Sequence, residues 1–178
     1  MPKLMQKLIF EPVQMTHSLF SNDRNLKSSS NIATPYSPAQ KPYANAPSRS
    51  PIYSTGLLWT NAIDLAKYNL LITSALNHSS ALITKPLAWK LITPSETPIH
   101  GLGYFIGDKL ADERPDGKYV FYTGSNVGYL TLSIIDKDGK QGAVFLINIS
   151  PEWDAKDYPQ FEFIKKSLKM IAAHYHWR

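Results

Sequence analysis

The chain has 178 residues, a length that fits one ordinary domain or one lobe of a larger one. Hydrophobic residues at 43 % and charged residues at 19 % exclude a solvated, unfolded chain, and no apolar run approaches the ~18 residues a bilayer-spanning helix needs. Net charge is +5, with nine Lys/Arg against four Asp/Glu in residues 1–100 and ten of each in 101–178; the scattered excess predicts a solvated surface and no nucleic-acid groove.

Leu4, Leu8 and Ile9 sit at helical spacing, which predicts a short first helix stopped at Glu11-Pro12, where proline removes a backbone donor. Lys3, Gln6 and Lys7 interrupt this stretch, so it lacks the apolar core of a signal peptide. Residues 27–55 are rich in Ser, Pro and Asn. Pro35, Pro38, Pro42, Pro47 and Pro51 forbid a regular helix or interior strand there, and Tyr36, Tyr43 and Tyr53 predict a long loop that packs on something. Asn61 is an N-cap with an acid, Asp64, three residues later; it opens a helix to about Ala75 with Ile63, Ala66 and Leu70 on the inner face. A second packing helix is expected from Lys85 to Leu91, with Pro86 in its first turn.

From Leu102 the period changes. Strands are expected over 102–106, 118–123, 129–135 and 143–149, with hairpins at Gly124–Gly128 and Asp136–Lys140, where Gly139 is free to take a positive φ. The strand from Ala143 to Ile149 is apolar on both faces, as a strand covered on both sides should be. Pro159 opens a terminal helix with Phe161, Ile164, Leu168, Ile171 and Tyr175 in one stripe. Helices, an antiparallel meander and a terminal helix make the fold class α+β, an antiparallel sheet with flanking helices. The chain divides into a helical-lobe part, 1–100, carrying the loop 27–55, and a sheet with its C-terminal helix, 101–178.

Most candidate chemistry fails on spacing. With no cysteine there is no thiolate ligand, disulfide or cysteine nucleophile. His174 and His176 lie two apart and so not on one helical face, while His17, His78 and His100 have no second ligand at a motif spacing. Asp136-x-Asp138-Gly139 lacks the downstream Glu of a calcium loop and reads as a turn. Gly101-x-Gly103 leads into a strand and has no third glycine, and there is no Gly-x-Ser-x-Gly elbow. No metal or cofactor is therefore expected.

One segment differs. In Phe121–Tyr129, Thr123-Gly124-Ser125 before a hairpin resembles the Lys-Thr-Gly or His-Thr-Gly edge strand that lines the active site of penicillin-recognising serine hydrolases. The resemblance implies a free strand edge that could pair with an extended amide, a Thr123 hydroxyl that could bind its carboxylate, close approach at Gly124, and a Ser125 amide that could donate to an oxyanion.

The flanks carry a resemblance. Ile9-Phe-Glu-Pro-Val-Gln-Met15 with Thr16 and Ser18, Asn31-Ile-Ala33 with Tyr36, Ser54-Thr-Gly-Leu-Leu-Trp-Thr-Asn-Ala-Ile-Asp-Leu-Ala66, Gly101–Phe105 and Tyr122–Tyr129 follow one another, and Asn148 ends the last strand. In order and approximate spacing they resemble blocks of the β-lactamase-like serine hydrolases: class C β-lactamases, D-Ala-D-Ala peptidases and related esterases. The resemblance covers almost the whole chain but only the C-terminal half of that fold. It implies a substrate edge at Tyr122, Thr123, Gly124 and Ser125. In that family Ser-x-x-Lys and Tyr-x-Asn lie upstream of these blocks. No serine here has lysine three residues later, and Tyr43-Ala-Asn45 lies downstream of Met15 in the proline-rich stretch, a coincidence of letters. Tyr122 stands where the family has Lys or His, and a tyrosine offers no cation to a substrate carboxylate.

Acyl transfer needs an activated serine, so the chain is expected to hold no catalytic residue of its own and to be inactive by itself. On this reading it is a truncated or split hydrolase. Its partner would be the missing N-terminal half, or a second copy, at an unpaired edge of Ala143–Ile149. The alternative is a non-catalytic peptide- or ligand-binding module reusing the fold. A weaker third is non-specific binding of anionic surfaces through the basic first part. The family analogy implies a periplasmic or secreted location.

Overall fold

A computed structural model describes residues 2–21, 31–43, 56–78, 80–106, 118–151 and 159–177. Asn45, Tyr53, Ser54, Thr55 and the beginning of the proline-rich stretch lie outside the described residues. Helices and antiparallel sheets are mixed, as the sequence pattern implies.

Helix α1 (Pro2–Met5) runs through a π-helical turn (Gln6–Phe10) into α2 (Glu11–Val13). The expected stop at Glu11-Pro12 is not the end: Pro12 lies within α2, and the chain leaves at Gln14 with φ 61°. The wide turn explains this. The Glu11 amide donates to the Gln6 carbonyl five residues back, so Pro12 follows a widened turn in place of the regular spacing its ring would obstruct.

Helix α3 (Ala62–Asn77) starts as its cap predicts, with the Asn61 side-chain oxygen accepting the Asp64 N–H at 2.8 Å. Its inner face is not the expected one. Ile63 and Leu70 are 70 % and 64 % exposed, whereas Asp64, Asn69, Ile72, Thr73, Ala75 and Leu76 are buried. Polar residues reach the interior because each finds a partner; the Ser133 hydroxyl lies 2.9 Å from Asn69 Oδ1, for example. Helix α4 (Lys85–Ile92) carries Pro86 in its first turn, as expected.

Strands β1 (Leu19–Phe20) and β2 (Leu58–Trp59) form a small antiparallel pair. The main sheet has β3 (Phe105–Ile106), β4 (Tyr119–Asn126), β5 (Tyr129–Asp136) and β6 (Gly142–Ile147) in the order β3-β4-β5-β6, each pair antiparallel. One face packs Ile106, Val120 and Ile135 on Ile72 and Leu76 of α3 and on Ala88 and Ile92 of α4. The other packs Tyr119, Leu130, Leu132 and Ile134 on Ile164 and Leu168 of α5 (Pro159–His174). Each fully buried Leu or Ile contributes roughly 1.5–3 kcal/mol, so the two layers hold the sheet between them. Among the described residues no helix is long and apolar enough to cross a membrane.

Four expectations shift. Residues 102–104 are irregular: the Leu102 and Gly103 amides donate to the carbonyls of Lys90 and Leu91, and a Cβ on Gly101 would stand 2.2 Å from the Leu91 oxygen. That docking on α4 delays the start of β3 to Phe105. Strand β4 runs on to Asn126, so the hairpin turn is Val127-Gly128 alone, with Gly128 at φ 83°. Strand β6 is apolar but only partly buried: it lies at the end of the sheet, where α3 and, through Ala143, Phe145 and Ile147, α5 cover its two faces incompletely. Tyr175 is 68 % exposed beyond the end of α5.

The Asp136–Lys140 turn forms, closed by the Asp136 carboxylate on the Asp138 amide (2.6 Å), with Gly139 at φ 73°. The described part of the proline-rich stretch packs on the end of the sheet. Tyr36 donates to the Asn148 carbonyl (3.0 Å) and accepts from the Ser150 amide (2.9 Å), and the Tyr43 amide donates to Pro35 (2.9 Å).

Candidate functional site

A two-residue hairpin fixes which backbone groups of β4 face outward. The pair flanking such a turn, Asn126 and Tyr129, exchanges both ladder hydrogen bonds, and bonded pairs then alternate. Gly124–Thr131 and Tyr122–Ser133 are therefore bonded to each other. Thr123 and Ser125 turn their N–H and C=O away from β5, toward the outer edge. Strand β3 covers that edge only at Val120 and Phe121, opposite Ile106 and Phe105. Beyond Phe105 the chain bends to α4, so among the described residues no strand pairs with Thr123–Ser125.

The four residues singled out in the sequence are consecutive on this one strand, not at a strand end and turn. Thr123 and Ser125 share the outward backbone, while Tyr122 and Gly124 share a face of the sheet. Tyr122 is 56 % exposed, with its ring 6.0 Å from that of Phe105. Phe105 also stacks on Phe121 (5.5 Å) and meets His100 (4.7 Å), which makes an aromatic wall where β3 stops. A Cβ on Gly124 would lie 2.7 Å from Thr131 Oγ1, so only glycine fits without displacing that hydroxyl.

Supports around the edge come from segments distant in sequence. Asn126 Nδ2 donates to the Gly56 carbonyl (3.0 Å) and its Oδ1 accepts the Val127 amide (2.8 Å), tying the hairpin to the segment that leads into β2. Gly56 has φ 72°, a conformation that favours glycine. The Tyr129 hydroxyl donates to Ala33 O (2.8 Å), its ring meets Trp59 edge-on (5.9 Å), and burial pushes its pKa up. Ser150 Oγ accepts the Gly128 amide (2.7 Å), and Asn148 Nδ2 donates to Thr34 O (2.8 Å). The signal for Asn126 was available, since an Asn beside a tight turn commonly bonds the following backbone.

Asp64, read in the sequence only as the acid that follows the Asn61 cap, does more in the structure. Burial raises its pKa, but the His17 amide (2.7 Å), the Ser18 hydroxyl (2.9 Å) and Lys67 (3.3 Å) outweigh burial and hold the carboxyl below its ordinary value. Lys67 also donates to the Gln14 carbonyl. Asp64 thus clamps the chain leaving α2 to the start of α3. A shallow depression of about 410 Å³ lies elsewhere, lined by Pro2, Lys3, Gln6, Lys7, Glu11, Leu19 and Phe20, with none of the four edge residues.

Comparison with known proteins places the chain in a family. The family model Beta-lactamase matches residues 1–164. The octameric penicillin-binding protein homologue from Pyrococcus abyssi superposes with a TM-score of 0.63 at 20 % identity, over 97 % of this chain and 37 % of its own. The penicillin-binding protein from Bacillus halodurans gives 0.63 at 16 %, over 94 % of this chain and 49 % of its own. The D-amino acid amidase from Ochrobactrum anthropi SV3 gives 0.62 at 12 %, over 97 % and 51 %. At these identities the likeness is one of fold, and the chain spans about half or less of each of those proteins. No curated protein matches the sequence. The chain belongs to the β-lactamase family.

Proposed function

We propose that these 178 residues carry the substrate-pairing edge of a β-lactamase-like serine hydrolase, acting in acyl transfer on β-lactams, D-Ala peptides or esters, and that they turn over no substrate by themselves. The observation that carries the reading is the outer edge of β4, where Thr123 and Ser125 present N–H and C=O beyond the point where β3 ends. An extended amide adds there as a strand would, accepting and donating at Thr123. The Ser125 amide donates to the oxygen that becomes negative as the carbonyl is attacked. Such a donor is worth roughly 100- to 1,000-fold in rate. Gly124 leaves room for the approach, and Tyr122 flanks it.

The nucleophile and its base come from a segment bearing Ser-x-x-Lys, a pattern these residues do not contain. Strand β6 is the edge that receives it. Asp136 and Gln141 close the β5–β6 turn (2.8 Å), so Gly142, Val144 and Leu146 turn their backbone groups outward. The sequence Gly-Ala-Val-Phe-Leu-Ile carries no charge or proline to repel a further strand.

The test is the intact mass of the chain after incubation with a penicillin and, separately, an activated ester. The unmodified mass is expected with both. A stoichiometric adduct would place a serine nucleophile within these residues and overturn the proposal that they are inactive by themselves.

A further inference from the structure

The face of the sheet beside the outer edge of Thr123–Ser125 has an unusual chemistry. On β4, Tyr122, Gly124 and Asn126 point to one side, and their cross-strand neighbours on β5 are Ser133, Thr131 and Tyr129. None of the six is an Asp, Glu, Lys, Arg or His, and their polar side groups, Tyr122 apart, already make bonds within the fold. Gly124 has no side chain, Thr131 donates to the Gly124 carbonyl (3.3 Å) and Ser133 is bonded to Asn69 (2.9 Å). Tyr129 donates to Ala33 O (2.8 Å), and Asn126 is held between Gly56 and Val127. Tyr122 is the exposed member, backed by the ring of Phe105.

A strand paired to the outward groups of Thr123 and Ser125 places its intervening residue opposite Gly124, with that residue's side group on this same face. Gly124 leaves a notch there, bounded by the Tyr122 ring on one side and the Asn126 amide on the other. An apolar or aromatic group fills such a notch favourably. A carboxylate in it would lose water and meet a phenol where it needs a cation.

Resting on the reading of the β4 edge as substrate-pairing, we infer that Tyr122 sets specificity. The Tyr122–Gly124–Asn126 notch selects uncharged ligands with an aromatic or apolar side group, which narrows the proposed substrates to esters and capped amides ahead of β-lactams and D-Ala peptides, whose carboxylates it disfavours. Tyr122 is a contact for the ligand and takes no part in proton transfer.

Three probes that differ by one feature each test this on the 178-residue chain: N-acetylphenylalanine methylamide, N-acetylphenylalanine as its carboxylate, and N-acetylalanine methylamide. Backbone amide shifts of Tyr122 to Asn126 are followed by NMR titration. The aromatic amide is expected to bind tightest, roughly 2- to 10-fold ahead of the alanine amide, from ring packing on Tyr122. Tyr122→Phe keeps that order, and Tyr122→Lys moves the preference to the carboxylate. Shifts at Thr123 and Ser125 with equal affinities for all three probes, or with the carboxylate preferred by the unmodified chain, would overturn the specificity and leave the pairing edge standing. No shift at Thr123 or Ser125 with any probe would overturn the pairing edge itself, and the inference with it.

Discussion

The two edges of the main sheet that no described strand covers are made of opposite chemistry. Beside β4 the outward backbone belongs to Thr123 and Ser125, separated by a glycine, and small polar residues leave room at the strand. On β6 it belongs to Gly142, Val144 and Leu146, in a run of apolar residues that are only partly buried. A small, polar edge next to a notch can admit a ligand and release it. An apolar edge with both faces half-covered gains more from a permanent neighbour, because pairing there also removes hydrocarbon from water. In the reading proposed here one edge holds substrate and the other holds protein, and strand β5 joins them.

The largest perturbation should act on both edges at once. Leu132, 1 % exposed in the middle of β5, supports each neighbouring strand. Leu132→Ala is expected to cost about 2–5 kcal/mol in urea unfolding and to lower amide protection in β4 and β6 together. Protection lost in only one strand would mean the edges do not share a support.

Gly128→Ala separates them. It puts a side chain at φ 83° with its Cβ 2.2 Å from that of Pro35, at the turn that sets the alternation of β4. A loss of about 2–4 kcal/mol is expected, with weakened ligand shifts at Ser125.

Asp64→Ala removes the clamp between the chain leaving α2 and α3, far in sequence from either edge. It should cost about 1.5–3 kcal/mol and leave ligand shifts at Ser125 in place. Because the folded carboxyl sits below its ordinary value of 3.8, its contribution is present above that pH and fades as the pH falls through the lower folded value. Asp64→Asn should therefore flatten the loss of urea stability between pH 5 and 3 relative to the unmodified chain.

Val144→Lys should change least in the fold, by about 1 kcal/mol, yet reduce any self-association seen by sedimentation. Ligand shifts at β4 should stay unchanged. If β4 lost its ligand response as well, the two edges would not be separable.

Periodicity found the terminal helix, and turn chemistry found the hairpin at Gly139, because in both places local preference and tertiary packing agree. They diverge on α3. Its apolar residues Ile63 and Leu70 drew the eye, but the buried side is built partly from Asp64, Asn69 and Thr73, whose hydrogen-bond partners lie far away in sequence. The same holds for the site. Gly124-Ser125-Asn126 reads locally as a turn, and only the ladder with β5 extends the strand through it. The residues at the edge could be named from the sequence. Their outward backbone and the Asn126–Gly56 anchor follow from pairing register, which no local pattern encodes.

Amide-resolved hydrogen exchange of β4, with and without N-acetylphenylalanine methylamide, tests the central claim most directly. Without ligand, Tyr122 and Gly124 should be protected by their bonds to β5, and Thr123 and Ser125 should exchange fast. With ligand, Thr123 and Ser125 should slow. Protection at Thr123 and Ser125 before any ligand is added, or no slowing after it, would contradict the account.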